Sequence, residues 1–251
     1  MAANIRAEPG TNTPNTPVLA LVIDDLGDNY ALGTRAIRLP GVTGSILPHR
    51  PYTIALANAA HQQKKEVMLH LPMESVTEHR MSEGGLYSTM TWRDFIRTFQ
   101  SALASVPYAQ GINNHMGSAL TASHRYMNWL MREISSHPNV YFVDSRTTAR
   151  TVAERMASRH GVPNMARTLF LDYDGAATDL DAQFQKLIRT AKRDGYALGI
   201  AHPFPRTLEF LETNLPRLHE QGIQLVPASR VIELNQEVRH EQSTRAARAR
   251  L

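Results

Sequence analysis

Short apolar runs alternate with longer amphipathic stretches along most of this chain. Each run is rich in aliphatic residues and has the length of one buried strand. The predicted strands cover residues 18–23, 44–47, 66–71, 109–113, 140–143, 169–171, 197–201 and 223–226. Most are separated by enough chain for a crossover helix, so the pattern predicts βαβ units and a parallel sheet in an α/β fold. A barrel or barrel-like sheet follows from that arrangement.

Helix boundaries support this interpretation. Thr91 and Thr178 are each followed three residues later by an acid, Asp94 and Asp181, which is the capping pattern of a helix start. Gly195 and Gly222 follow amphipathic stretches at positions typical of helix C-caps, and a predicted strand comes directly after each glycine.

The chain of 251 residues is long enough for one barrel domain, and no composition break marks a second. We expect residues 18–234 to form this domain, between a disordered N-terminal segment, 1–17, and a basic disordered tail, 235–251. The segment between Leu71 and Thr91 is long for a loop, so it is expected to form a wall of a binding cleft.

The amino-acid composition limits which side chains could bind a metal. The chain has no cysteine, so any metal must be held by His, Asp or Glu. No stretch approaches the roughly 18 apolar residues that a membrane span needs, and no signal peptide is visible in residues 1–17. The protein is therefore expected to be cytosolic, or to lack its export signal here. The net charge of +4 owes much to arginines in the tail, and without a binding module we expect no nucleic-acid partner.

Acids and imidazoles follow the predicted strands where each strand ends. Parallel α/β folds bind ligands at the carboxyl ends of their strands, so these side chains are expected to converge on one rim. They are Asp24, Asp25, His70, His115, Asp144 and His202. The set resembles a metal site for a hard-to-intermediate ion. Alternatives remain open for each: Asp24 and Asp25 as turn caps, His70 as a core histidine, and Asp144 as the ion-pair partner of Arg146.

Other polar residues near these strand ends are candidates for supporting roles. Glu74, four residues after His70, is a candidate ligand, orienting group or loop acid. Asn113 and Asn114 precede His115, and their amides can orient it or hydrogen-bond a ligand. Asp144 and Arg146 are candidates for orienting a catalytic group.

The motifs together resemble the divergent polysaccharide deacetylases. They are residues 21–27 (LVIDDLG), 66–74 (EVMLHLPME), 111–118 (GINNHMGS), 142–148 (FVDSRTT) and 200–203 (IAHP), and the likeness extends from about Val18 to Val231. The resemblance implies a distorted (β/α) barrel of about seven to eight parallel strands. It also implies an enzyme that removes acetyl groups from a polysaccharide or acetylated amino sugar, and a periplasmic or exported location.

Roles follow from the same resemblance. It implies Asp24 as the catalytic base, Asp25, His70 and His115 as ligands of a divalent metal, zinc being expected, and His202 as the general acid. The chain departs from the usual His-x-x-x-His motif, because Glu74 stands at the second imidazole position. The enzyme hypothesis therefore depends on His115 supplying that imidazole from another strand.

Two competing hypotheses remain. The first is a non-catalytic carbohydrate-binding or cell-envelope protein that retains the deacetylase fold. The second is a metal phosphohydrolase, although the sequence has no glycine-rich phosphate loop. The sequence leaves the polymer, the ion and the oligomeric state open.

Overall fold

The computed structural model describes residues 16–77, 83–174 and 177–248. Its strands are β1 (Val18–Leu26), β2 (Thr43–Ile46), β3 (Val67–Met73), β4 (Ala109–Met116), β5 (Tyr141–Asp144), β6 (Asn164–Ala166), β7 (Leu169–Phe170), β8 (Tyr196–Ala201) and β9 (Gln224–Leu225). Its helices are α1 (Tyr30–Arg38), α2 (Thr53–Gln62), α3 (Trp92–Ser105), α4 (His124–Ile134), α5 (Ala153–Arg159), α6 (Leu180–Asp194), α7 (Pro205–Asn214) and α8 (Ala228–Arg248), with a 3₁₀ helix at Leu215–Gln221.

The strands form one parallel sheet that curls into a half-barrel. Its order is β6-β5-β4-β3-β2-β1-β8-β7, and β9 pairs with the first residues of β1. This confirms the predicted fold class, a single α/β domain related to a distorted (β/α) barrel. All eight predicted strands are present. Strand β6 was not predicted, because Asn164–Ala166 is short and has no apolar run.

Helix boundaries match the sequence patterns with one correction. The hydroxyl of Thr91 accepts a hydrogen bond from the Asp94 N–H and caps α3, and Gly195 ends α6 with a φ of 86°. The predicted cap at Thr178 is wrong. Its hydroxyl instead accepts from the Asp174 N–H, and Asp179, one residue later, caps α6.

Two apolar clusters lie on opposite faces of the sheet. The larger cluster lies between the sheet and the surrounding helices, whereas the smaller one fills the inside of the half-barrel. Inward-facing Val18, Ala20 and Val22 of β1 belong to the second cluster, because alternate residues of a strand face the same side. Helix α8 closes the amino end of the half-barrel by packing Val231 and Ile232 into this cluster.

The predicted disordered tail is wrong for residues 235–248, because helix α8 continues through Arg248, and residues 249–251 lie outside the described residues. Asn235, the first residue of that predicted tail, is buried. Its amide donates to the Asn164 carbonyl at 3.1 Å and accepts from the Tyr196 hydroxyl at 3.0 Å. These contacts hold the helix against β6 and β8, so the ordered domain extends past residue 234. Most of the predicted N-terminal disordered segment, residues 1–15, lies outside the described residues.

Among the described residues, no helix has the length and apolar character needed to cross a bilayer.

Candidate metal centre and active site

The candidate site lies at the carboxyl rim, one layer above the inner core. In each contributing strand, the inward-facing series of side chains changes from apolar or small to polar as the strand reaches its end. On this face, Val22 is followed by Asp24 in β1 and Met68 by His70 in β3. Gly111 is followed by Asn113 and His115 in β4, and Ile200 of β8 is followed by His202. The fold therefore gathers groups that are distant in sequence.

Asp24 and Asp25 reach the same site although adjacent strand residues normally face opposite sides. The pairing of β1 with β2 shifts register between Ile23 and Leu26, and Asp25 has a left-handed φ of 56°. Such a bulge redirects a side chain, and strain of this kind concentrates at functional sites. As a result, Oδ1 of Asp24 lies 3.7 Å from Nδ1 of His70, and Oδ1 of Asp25 lies 3.1 Å from Nε2 of the same ring.

Asp25, His70 and His115 form a compact group of potential metal ligands. One donor atom from each residue lies within 4.8 Å of the others. Oδ1 of Asp25 is 2.9 Å from Nδ1 of His115, which is 3.1 Å from Nε2 of His70. Tetrahedral ligands at zinc bond lengths lie about 3.4 Å apart, so small outward movements of these side chains would accommodate an ion. Two imidazoles and a carboxylate are also a common donor set of catalytic zinc.

Asn113 connects this group to Asp24. Its Oδ1 accepts from the Ser45 hydroxyl at 2.7 Å and lies 2.8 Å from Nδ1 of His70. Its Nδ2 donates to Asp24 at 2.8 Å. Because Asn113 Oδ1 can only accept, Nδ1 of His70 carries a proton, and Nε2 faces Asp25 and His115. The amide therefore fixes the orientation of the ring and positions the neighbouring carboxylate.

The charges of the site favour a cation. Burial alone would lower the pKa of His70, but the carboxylates of Asp24 and Asp25 raise it. Burial opposes ionisation of Asp25, yet hydrogen bonds and charges from His115 and His70 hold its pKa well below the usual range. The carboxylates thus stabilise positive charge between the rings, and a metal ion would compete with a proton for that position.

His202 faces the opposite side of the Asp25 carboxylate. Its Nε2 lies 4.0 Å from Asp25 Oδ2, and its Nδ1 lies 2.8 Å from Oδ1 of the buried Asp172. Asp172 also accepts from the His202 backbone N–H and the Thr207 hydroxyl, at 2.9 Å each. Burial lowers the pKa of His202, but the hydrogen bond and charge of Asp172 outweigh it and raise this pKa to about 9.

Asp172 and Ser45 also contact the candidate site but were not predicted from the sequence. Asp172 directly follows the short predicted strand 169–171, so it has the strand-end position by which the other candidates were found. Ser45 gave no such signal, because it lies within β2 and has an inward role only through its contact with Asn113.

Glu74 lies outside the Asp25, His70 and His115 group. Its carboxylate accepts from the Ser88 N–H at 2.6 Å, and its backbone pairs with Leu86. Of the roles proposed for it, these contacts match the loop acid, because they fix the chain that follows β3. Residues 78–82 of this segment lie outside the described residues.

Asn114, Asp144 and Arg146 brace the neighbouring loop. Asn114 accepts from the Ser145 N–H and donates to the Met116 carbonyl. Asp144 accepts from the Arg146 N–H at 2.9 Å and from the Thr151 hydroxyl at 2.8 Å, so its described contacts with Arg146 involve the backbone rather than the guanidinium. Burial raises the pKa of Asp144. These residues shape the rim that follows β4 and β5.

A parallel half-barrel with acids and imidazoles at its carboxyl rim defines a protein with a deacetylase-like fold. The chain belongs to the divergent polysaccharide deacetylase family, whose sequence profile matches residues 21–232. An uncharacterized protein from Haemophilus influenzae is 35% identical over 209 residues, covering 83% of this chain and 74% of that protein.

Solved structures agree with this fold. An uncharacterized protein from Agrobacterium tumefaciens has a TM-score of 0.81 at 21% identity, with 88% of this chain and 91% of that chain covered. The peptidoglycan deacetylase PdaC from Bacillus subtilis has a TM-score of 0.51 at 13% identity, with 93% and 98% covered. Both similarities concern the fold.

Proposed function

We propose that the protein is a metal-dependent hydrolase that removes acetyl groups from a polysaccharide. The observation that carries this proposal is the compact group of Asp25, His70 and His115, with Asp24 and His202 beside it. Membership of the divergent polysaccharide deacetylase family supports the reaction class. The name of one structural neighbour, a peptidoglycan deacetylase, supports an acetylated glycan as the substrate.

Asp25, His70 and His115 would hold the divalent ion, with zinc favoured by the donor set. A zinc ion bound there supplies a Lewis acid for the acetyl carbonyl and lowers the pKa of water toward neutrality. His115 from β4 would supply the imidazole that Glu74 does not, because its Nδ1 lies 3.1 Å from Nε2 of His70.

Asp24 would act as the base. It is buried and lies beside His70, and the Asn113 amide fixes one of its oxygens. In hydrolysis, water adds to the carbonyl carbon while Asp24 accepts the proton that the water loses. Its fixed position next to the ligand group suits that transfer.

His202 would act as the acid. Its raised pKa keeps it protonated at neutral pH, and Asp172 occupies Nδ1, so the Nε2–H remains to be donated. When the C–N or C–O bond breaks, His202 would protonate the departing amine or hydroxyl of the sugar, and acetate is the other product. The residue then regains a proton from solvent.

Metal content and acetate release test this proposal together. Full-length chain would be supplied with Zn²⁺, freed of excess ion and analysed by mass spectrometry for bound metal. Acetate release would be measured from chitin oligomers, peptidoglycan and acetylated xylan. We expect a stoichiometric ion and acetate from at least one substrate, both lost in His115→Ala and both kept in His124→Ala, a change at an exposed histidine on α4.

A chain that binds no ion and releases no acetate would refute the proposal. That result would favour the non-catalytic carbohydrate-binding or cell-envelope alternative.

A further inference from the structure

The exposed aromatic side chains of the described residues gather at the carboxyl rim. Tyr30, Tyr52, Tyr173 and Phe204 each closely follow the carboxyl end of a strand, Trp92 begins the helix after β3, and Tyr108 precedes β4 at the other end. Exposed apolar side chains that gather in one patch mark binding surfaces more often than single scattered ones do. Their concentration around the candidate site therefore indicates that this rim binds a ligand through its aromatic rings.

One group of rings surrounds His202. The ring centres of Phe170 and Phe204 lie 5.7 Å and 5.6 Å from that of His202, each tilted by 32°. Tyr173 lies 5.9 Å from Phe170 and is 75% exposed. An open groove of about 560 Å³ runs beside Phe170 and Tyr173, with Asp174 and Gln183 among its polar groups.

A second group lies on the other side of β1. Tyr30 begins α1 and Tyr52 precedes α2, with ring centres 5.6 Å apart and 48° between the planes. The sheet order places β8 on one side of β1 and β2 on the other. The two aromatic groups therefore flank the strand that carries Asp24 and Asp25.

We propose that an extended glycan lies across this rim, with sugar rings stacked on Tyr173 and Phe204 on one side and on Tyr30 and Tyr52 on the other. This proposal rests on the proposed function, since a proton donor at His202 places the deacetylated sugar beside the first group. Pyranose rings present apolar C–H faces to aromatic rings and hydroxyls to groups such as Asp174 and Gln183. Platforms on both sides favour a polymer over a small acetylated metabolite.

Co-sedimentation of the full-length chain with insoluble polymers tests this binding. The probes are chitin, peptidoglycan sacculi and insoluble acetylated xylan. We expect retention on at least one, weakened about tenfold by Tyr173→Asn and by Tyr52→Asn, a size typical of one lost aromatic contact. Tyr108→Asn is the matched control, because Tyr108 is an exposed tyrosine at the opposite end with a φ of 65°, which asparagine tolerates.

The outcomes separate this proposal from the proposed function. Retention that depends on Tyr173 and Tyr52, without acetate release, supports the glycan platform and refutes the hydrolase. Acetate release with retention unchanged in both variants refutes the platform and leaves the hydrolase standing. Retention on none of the polymers, or equal loss in Tyr108→Asn, also overturns the platform.

Discussion

Oδ1 of Asn113 lies 2.8 Å from Nδ1 of His70, in a part of the half-barrel where both side chains are almost fully buried. This contact fixes which ring nitrogen of His70 faces Asp25 and His115. Residues that orient a metal-binding histidine in this way usually change metal affinity by about 10–100-fold when they are removed.

Asn113→Ala is therefore expected to weaken Zn²⁺ binding by about 10–100-fold while the three proposed ligands remain. Competition with a fluorescent zinc chelator measures the change. Asn128→Ala, at an exposed position on α4, is the control and should bind zinc as the wild type does. Wild-type affinity in Asn113→Ala would contradict the orienting role.

Asp24→Asn and Asp25→Asn should differ although the two residues are adjacent. Because Asp25 belongs to the proposed ligand group and Asp24 is linked to that group through Asn113, Asp25→Asn is expected to lose the ion. Asp24→Asn should retain it and lose about 10²–10⁴-fold in acetate release, the usual contribution of a positioned base. Metal analysis and rate measurement on the same preparations make the comparison. Equal metal loss in both variants would argue against separate roles.

Asp172→Asn should lower the pKa of His202, because the carboxylate of Asp172 raises it to about 9 against the effect of burial. An NMR titration of the ring in chelator-treated protein measures this pKa. Asp174→Asn, an exposed acid in the next turn, serves as the control. A wild-type midpoint in Asp172→Asn would contradict the assigned cause.

The raised pKa of His202 also determines how its contribution to stability changes with pH. Since the folded pKa of His202 exceeds the unfolded value near 6.5, the His202–Asp172 interaction stabilises the fold fully below about pH 6.5 and is lost as pH rises through about 9. The stability difference between wild type and Asp172→Asn should accordingly shrink over that range.

The sequence was sufficient for the sheet and for most of the rim, because alternation and strand ends are local signals. Asp24, His70 and His202 each end an apolar run, and the half-barrel brings those ends together. Asp25 needed more than alternation, since the register shift that turns it toward His70 depends on pairing with β2.

The tail was mispredicted for a related reason. Residues from 235 onward are polar and basic, but α8 is anchored by packing and by the contacts of Asn235 with β6 and β8, which composition does not reveal. Asp172 shows the opposite case, in which a strand-end signal was present but the strand was only two residues long. The contacts that support a helix or a site depend on the tertiary structure, whereas the residue types that could hold a metal can be read from the sequence.

Gly111 provides a test of how tightly the strand beneath the site is packed. A Cβ at this position would lie 2.2 Å from Cζ of Tyr141, its partner in the register of β4 and β5. Because the buried tyrosine ring is rigid and lies among inner core residues, it cannot move away easily. Gly111→Ala is expected to lower the free energy of unfolding by about 1–3 kcal/mol, the usual cost of overpacking.

Urea unfolding measures that cost, and two comparisons establish its cause. Gly44→Ala should cost less, since its Cβ would meet only the end of the Leu26 side chain at 3.3 Å. Tyr141→Leu removes the clashing ring, so adding Gly111→Ala to it should cost less than in the wild type, and the cycle should be non-additive. Additive costs would show that Gly111 is required for its backbone freedom rather than for the space that Tyr141 fills. Because Asn113 and His115 follow on the same strand, a displaced β4 should also weaken Zn²⁺ binding.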